Sequence, residues 1–92
     1  MMKSFKHKGL EKLFVNNDRS KINPDHASKL LRILDRLDSS ISPRDMNLPG
    51  YQIHELKGKD KETWSVWGSG NWRITFQFEG TDAVNVDYKD YH

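Results

Sequence analysis

The feature that most constrains the fold is the alternation of residue types in WRITFQF, residues 72–78. Large apolar side chains occupy every second position, and Arg73, Thr75 and Gln77 lie between them. Because successive side chains of a β-strand point to opposite faces, this pattern predicts a strand with one apolar and one polar face. Such a strand must belong to a sheet whose apolar face is covered by other elements.

Other stretches in the second half of the chain show the same period. The segments GSGN and EGTD are rich in residues that favour tight turns, and they separate the last strands. In the final strand, Val84, Val86 and Tyr88 form the apolar series. The second half is therefore predicted to be an antiparallel meander. Its other strands are predicted at YQIHEL (51–56), TWSVW (63–67) and AVNVDYKDYH (83–92).

The first half has helical spacing instead. A short edge strand is expected at residues 3–5, and Leu10, Leu13 and Phe14 predict a short amphipathic helix. Residues 23–25 (NPD) are a favourable start for a second helix, since Asn caps, Pro fits the first turn and Asp suits the helix dipole. With helices first and a meander after them, the predicted class is α+β, with the helices on the apolar face. The predicted buried stripe of the second helix is Ala27, Leu30, Leu31, Leu34 and Leu37.

The polar face of the sheet is left for solvent or for a ligand. Arginine grips phosphate oxygens in pairs, and histidine exchanges a proton near neutral pH, so this face is a candidate phosphate site. Lys57 follows the His54 strand and adds a cation. An ordinary solvated face explains the same pattern without any ligand. If every strand keeps its alternation, the side chains on this face are His54, Arg73, Thr75, Gln77, Asn85 and Lys89.

Composition narrows the chemistry. Ninety-two residues with three Trp, three Tyr and four Phe predict one folded domain. The absence of cysteine excludes thiol nucleophiles and disulfides, and no metal-ligand spacing, P-loop or nucleophile elbow is present. No signal peptide or apolar membrane span is recognisable, so a soluble, cytoplasmic protein is expected. Metal-free acid–base chemistry on a phosphate remains, and RNA cleavage through the 2′-hydroxyl requires little more.

Four motifs in order carry a resemblance to a known family: MKSFKHKGLEKLF (2–14), HELKG (54–58), NWRITFQF (71–78) and the terminal DYH. Together they resemble the HigB toxins, in the RelE-like superfamily of type II toxin–antitoxin systems, essentially from end to end. The resemblance implies a single domain over residues 1–92 with the RelE-like microbial RNase fold. In that fold two N-terminal helices pack on one face of a small twisted antiparallel sheet.

The resemblance also implies an activity and partners. HigB toxins are ribosome-dependent endonucleases that cut mRNA in the ribosomal A site and arrest translation, without a cofactor. The implied partners are a HigA-type helix-turn-helix antitoxin, the 70S ribosome with its mRNA, and operator DNA reached through the antitoxin, with no membrane. Two alternatives remain: a ParE-like toxin that inhibits gyrase, and an inactive toxin that survives as an antitoxin-binding co-repressor.

Site residues follow by motif. His54 and Lys57 match H-x-L-K-G, Arg73 matches N-W-R, and the last three residues match D-Y-H. We expect His54 and His92 to share the acid and base roles, with Asp90 orienting an imidazole or acting as the base. The residues expected to stabilise the phosphorane are Arg73 and Lys57, and the residue expected to stack a base is Tyr91.

Two features of these motifs are unresolved by sequence. Strand parity puts Asp90 and His92 in phase with Tyr88 on the apolar side, so we expect the chain to bend or lose register after Lys89. Relatives commonly carry a basic residue shortly before N-W-R, where this chain has WGSGN (67–71). The cations expected to compensate are Lys59, Lys61 or a basic residue near the N-terminus.

Overall fold

The computed structural model describes residues 1–58 and 62–90, with the backbone alone at Ser69. Two α-helices and a 3₁₀ turn precede a four-strand antiparallel sheet in which neighbours along the chain are neighbours in space. The predicted α+β class is therefore confirmed. The elements are α1 (Lys8–Asn16), α2 (Pro24–Ser39), the 3₁₀ turn (Pro43–Met46), β1 (His54–Glu55), β2 (Trp64–Ser69), β3 (Trp72–Glu79) and β4 (Asp82–Asp90).

Side-chain caps fix where both helices begin. The amide of Leu10 donates to His7 Nδ1 at 3.1 Å, which satisfies one of the unpaired N–H groups of α1. At α2 the amide of Asp25 donates to Asn23 Oδ1 at 2.9 Å, with Pro24 in the first turn, as predicted. These caps set the rotation of each helix, and with it the face that it turns toward the sheet.

The core lies between the helices and one face of the sheet. Val66, Ile74, Phe76 and Val86 are buried on the sheet side. In α2 the predicted stripe needs one correction, because Ile33 is fully buried whereas Leu31 packs only partly against the core. The buried face of α2 is thus rotated slightly about the helix axis relative to the prediction. This rotation places the side of α2 that carries His26 and Lys29 beside the sheet. The buried residues of α2 are Ala27, Leu30, Ile33, Leu34 and Leu37.

The N-terminal segment covers the outer edge of β4. It runs parallel to β4 through two isolated bridges, Met2 with Ala83 and Phe5 with Val86. The amide of Lys3 donates to the Ala83 carbonyl at 2.8 Å, and the amide of Val86 donates to the Ser4 carbonyl at 3.1 Å. The expected edge strand at residues 3–5 is present in this interrupted form. Its hydrogen bonds satisfy an edge that would otherwise be open to other chains.

A bulge in β4 overturns part of the predicted alternation. Thr75 pairs with Asp87 but Gln77 pairs with Val84, so β4 has one extra residue there, and Asn85 has a left-handed φ of 54°. An extra residue reverses the parity of a strand. Ala83 therefore faces the core, and Val84 lies on the face of Gln77, contrary to the predicted apolar series.

The first strand is also shorter than predicted. Only His54–Glu55 is a strand, and Gln52 has a positive φ of 49° that breaks the extended backbone expected over residues 51–56. The segment before β1 still pairs with β2 once, since the Trp67 amide donates to the Tyr51 carbonyl at 2.7 Å. Within residues 1–58 and 62–90, no helix is long and apolar enough to cross a bilayer.

Candidate active site

Three neighbouring strands bring an imidazole, a hydroxyl and a guanidinium together. His54 of β1 is opposite Ser65 of β2, and Ser65 is opposite Thr75 of β3, two residues after Arg73. Arg73 Nε donates to Ser65 Oγ at 2.9 Å, and Arg73 Nη2 lies 3.3 Å from His54 Nδ1. His54 Nε2 lies 3.4 Å from the same Ser65 hydroxyl. The sequence predicted His54 and Arg73 on one face, and the structure places them in contact.

The partners of His54 select one form of its ring. A guanidinium only donates hydrogen bonds, so the contact with Arg73 requires an unprotonated Nδ1. A proton on Nε2 is then directed toward Ser65 Oγ. Both contacts of the ring are long for hydrogen bonds, and His54 is exposed, so either nitrogen is accessible to an incoming group.

Arg73 is fixed from two sides. Besides Ser65, its Nη2 donates to the carbonyl oxygen of Gln52 at 2.6 Å. Gln52 has a left-handed backbone conformation, which is why β1 is shorter than the strand predicted over residues 51–56. The irregular segment before β1 therefore supplies an anchor for the guanidinium. An arginine held in this way presents its charge without a large entropy cost at the moment of binding.

The rest of the polar face is less open than predicted. Thr75 is 2% exposed and Ser65 0%, because the longer side chains beside them reach across the sheet. Gln77 Nε2 donates to Thr63 Oγ1 at 3.0 Å, and Asn85 Nδ2 donates to Gln77 Oε1 at 2.7 Å. Gln77 and Asn85 therefore form a structural network away from Arg73.

One further cation lies beside Arg73, and another follows β1. Lys89 is opposite Arg73 across the β3–β4 pair and is exposed. Lys57 is exposed in the segment that follows β1, three residues after His54. The residues directly opposite Arg73 in the sheet are Trp67 and Lys89, and Asp87, opposite Thr75, adds a carboxylate to the same face. The neighbouring charges of Arg73 and Lys89 attract anions to this part of the face.

The end of β4 keeps its register up to Asp90. Lys89 pairs with Arg73 and Asp90 with Trp72, so the bend expected after Lys89 does not occur before Asp90. Parity places Asp90 on the side of Trp72 and Tyr88, and Lys89 on the side of Arg73. The predicted roles of Tyr91 and His92 fall on residues outside the described part of the chain.

An aromatic cluster holds this end of the sheet against α2. The Tyr88 hydroxyl lies 2.9 Å from His26 Nδ1, and the Tyr88 ring stacks on Trp72 with centroids 4.7 Å apart. A Cβ atom at Gly68 would lie 3.1 Å from the Tyr88 ring, so any other residue there would require the ring to shift by a few tenths of an ångström. Burial, followed by the charge of Asp90, raises the pKa of Tyr88 to about 12. Sequence reasoning missed His26, although its position four residues before Leu30 places it on the buried stripe.

A second contact between α2 and the sheet involves a cation. Lys29 Nζ lies 3.6 Å from the centre of the Trp67 ring, whose Nε1 donates to the Gly70 carbonyl at 2.7 Å. Burial lowers the pKa of Lys29, and the charge of Arg32 lowers it further. Neither side chain was a sequence candidate, because their contact joins elements far apart in the chain.

The described part of the candidate site lies on the surface of the protein. Across residues 1–58 and 62–90 the protein has no pocket. The same residues contain no cluster of His, Cys, Asp and Glu that would hold a metal ion. A flat, cationic face with an imidazole suits a polymer better than a small enclosed ligand.

Comparison with known proteins decides the family. Residues 3–92 match the model of the HigB-like toxin, described as the RelE-like toxin of the type II toxin–antitoxin system HigB. The chain belongs to the HigB-like toxin family. A curated relative, the endoribonuclease HigB of Proteus vulgaris, is 39% identical over 92 residues, which cover all of both chains. The resemblance seen in the sequence motifs is thus confirmed, and as a HigB-like toxin the chain has an antitoxin for a partner.

Proposed function

We propose that this HigB-like toxin is a ribosome-dependent endoribonuclease that cuts mRNA in the ribosomal A site and thereby inhibits translation. The observation that carries the proposal is the contact of His54 with Arg73 and Ser65 on an open cationic face. The full-length similarity to a protein named endoribonuclease HigB supports it.

The chemistry requires three acts at one phosphodiester. A base takes the proton of the 2′-hydroxyl, a cationic group stabilises the charge that develops on the phosphorane, and an acid protonates the leaving 5′-oxygen. The nucleophile belongs to the RNA itself, so no covalent enzyme intermediate and no metal-bound water are required.

Arg73 and His54 are assigned the central roles. The guanidinium of Arg73, fixed by Ser65 and the Gln52 carbonyl, binds the phosphate oxygens. His54 then exchanges its long contacts for the 2′-hydroxyl or the leaving oxygen, as catalytic groups in free enzymes commonly tighten only on the substrate. Lys57 adds positive charge from the segment after β1.

The end of β4 completes the proposed site. His92 shares the acid and base roles with His54, and Tyr91 stacks on a base of the mRNA. Asp90 lies on the side of Trp72 and Tyr88 and not on that of Arg73, so its proposed role is to orient an imidazole and not to act as the base. Stacking of this kind is typically worth about 1–3 kcal/mol per base. The aromatic cluster of Tyr88, Trp72 and His26 holds β4 near Asp90 against α2.

The partners follow from the same proposal. A HigA-type helix-turn-helix antitoxin neutralises the toxin, and the complex reaches operator DNA through the antitoxin. The 70S ribosome and its mRNA are the targets, which places the action in the cytoplasm.

The deciding experiment adds the purified chain to translating ribosomes and maps the new 5′ ends of the mRNA. Cuts within A-site codons are expected, and His54→Ala is expected to slow them by about 10²–10⁴-fold, the usual contribution of an acid–base group. Glu55→Ala is the matched control, since Glu55 is the exposed neighbour of His54 in β1. Trapping of DNA gyrase, or operator binding by a complex whose toxin never cuts, would replace the proposal by one of the two alternative functions.

A further inference from the structure

The contact between Lys29 and Trp67 brings a cation from α2 to the border of the candidate site. Trp67 is directly opposite Arg73 in the β2–β3 pair. Side chains that are directly opposite share a face, with Cβ atoms about 4.5–5.5 Å apart. The ring that holds Lys29 is therefore the immediate neighbour of the arginine that is assigned to the scissile phosphate.

The position of Trp67 explains how α2 reaches this border. β1 pairs with β2 only through His54–Ser65 and Glu55–Trp64, and at Trp67 the neighbour of β2 is the irregular segment before β1, whose Tyr51 carbonyl accepts from the Trp67 amide. The bulge at Gly68 follows immediately. At this irregular edge the indole is tied back to the Gly70 carbonyl, and one of its faces receives the ammonium of Lys29.

The charge of Lys29 is not neutralised by this contact. The ring attracts the ammonium through its quadrupole, which is worth about 0.5–2 kcal/mol, but it carries no negative charge. In residues 1–58 and 62–90 the ion pairs are those of Asp82 with Lys3 and with the terminal amine, and Lys29 forms none. Arg32, one turn along α2, adds a second positive charge, and together with burial it lowers the pKa of Lys29. A bound anion would relieve both effects.

We propose that Lys29, positioned by Trp67, binds a backbone phosphate of the mRNA adjacent to the one that Arg73 binds. The inference rests on the proposed function, and it extends the RNA-binding surface from the sheet onto α2. It also supplies the positive charge that WGSGN, residues 67–71, lacks before Arg73. Lys29 is a substrate-binding residue in this scheme, and Trp67 is a positioning residue that keeps the ammonium at the edge of the site.

The test measures binding and cleavage separately. Binding is measured with ribosomes that carry an mRNA whose A-site codon has 2′-deoxy sugars, because this mRNA lacks the nucleophile and is not cut. Cleavage is measured with the matching all-ribose mRNA. Lys29→Gln is expected to weaken binding and to raise KM about tenfold with kcat unchanged. The variant is also expected to reduce the slope of the logarithm of the binding constant against the logarithm of salt concentration by about 0.7, the value for one single-strand phosphate contact. Lys29→Arg is expected to restore both, because it keeps the charge.

Controls separate this role from net charge and from folding. Lys12→Gln removes the same charge from an exposed position on α1 and is expected to leave KM and the salt slope unchanged. Trp67→Leu is expected to raise KM in the same way as Lys29→Gln, and the double variant is expected to be no worse than either single one. Thermal unfolding of each variant shows whether the fold is kept.

The outcomes distinguish this inference from the proposed function. If Lys29→Gln behaves like Lys12→Gln while the wild type cuts A-site codons, the inference fails and the function stands. Equal weakening toward programmed and empty ribosomes would also overturn it, because the phosphate would then belong to ribosomal RNA. If the wild type binds the 2′-deoxy mRNA without cutting the all-ribose one, the proposed activity fails, and the effect of Lys29→Gln on binding still decides the phosphate contact.

Discussion

Ser65 has a larger role in the site than its size suggests. Its hydroxyl is buried between the two functional side chains, and it accepts from Arg73 Nε while lying beside His54 Nε2. Hydrogen bonds to charged groups contribute more than neutral ones, typically about 1.5–3 kcal/mol. The serine therefore couples the stability of the sheet to the orientation of Arg73 and His54.

Removal of this hydroxyl gives the first prediction. Ser65→Ala is expected to lower the free energy of unfolding by about 1.5–3 kcal/mol, since Arg73 Nε loses its acceptor. Urea unfolding measures the change. Ser39→Ala is the control, because that hydroxyl bonds only to carbonyl groups at the exposed end of α2 and should cost much less. Equal losses in the two variants would show that Ser65 does not hold Arg73.

Tyr88 gives a prediction about alkaline pH. Its pKa is raised to about 12, first by burial and then by Asp90, so the unfolded chain releases this proton before the folded chain does. The contribution of this proton to the free energy of unfolding is complete below pH ~10 and is lost as the pH rises toward about 12. The loss is roughly 2–3 kcal/mol, since each tenfold change in proton affinity is worth about 1.4 kcal/mol. Urea unfolding at a series of pH values between about 9 and 12 measures this decline in the free energy of unfolding. Tyr88→Phe should remove this part of the decline, and parallel curves for the two proteins would contradict the assignment.

Which residues could be found from the sequence depends on the range of the interaction. His54 and Arg73 were found because strand alternation is local, and the structure places them 3.3 Å apart. Ser65, His26 and Lys29 were missed because their roles depend on which strands pair and on how α2 lies against the sheet. Those choices are made by tertiary packing, which leaves only a weak trace in residue spacing.

At the scale of elements, the bulge at Asn85 shows where an alternation pattern fails. Residues 84–89 alternate apolar and polar in the sequence, yet the backbone inserts an extra residue and exchanges the faces of Ala83 and Val84. The signal that was available is Asn85 itself, since Asn is among the residues that adopt the left-handed conformation most readily. β3, which has no such residue between Trp72 and Glu79, followed its predicted alternation.

Substitutions at the bulge test this explanation. Asn85→Gly and Asn85→Ala both lose the bond to Gln77, but only alanine is strained at a φ of 54°. The alanine variant is expected to be the less stable of the two by about 1 kcal/mol, even though glycine lowers stability through the unfolded chain. Chemical unfolding of the pair measures the difference. An alanine variant as stable as the glycine variant would mean that the bulge relaxes.

At the scale of the whole molecule, one small core carries the fold. The Cα radius of gyration is 12.0 Å, which is that of a compact domain of this length. A chain of this size has a small margin of stability, so a partner that binds only the folded state changes that margin appreciably. This applies directly to a toxin that is held by an antitoxin.

Antitoxin binding is accordingly expected to stabilise the toxin by about 2.7 kcal/mol when the free antitoxin is at a hundred times its Kd. The measurement is the unfolding midpoint of the toxin at rising concentrations of its cognate antitoxin. His54→Ala should be stabilised equally if the antitoxin does not need this side chain. A midpoint that does not depend on antitoxin concentration would contradict binding to the folded toxin.

The parallel pairing of the N-terminal segment with β4 also sets an order of events during synthesis. Ser4 Oγ accepts from the Asn85 amide at 2.8 Å, and these residues are 81 positions apart. A growing chain that has not yet reached Val86 cannot close this edge, and its β3 has no partner strand on that side. Closing a loop of this length costs about 4 kcal/mol or more in chain entropy. The nascent polypeptide therefore has a complete sheet only after β4 has been synthesised.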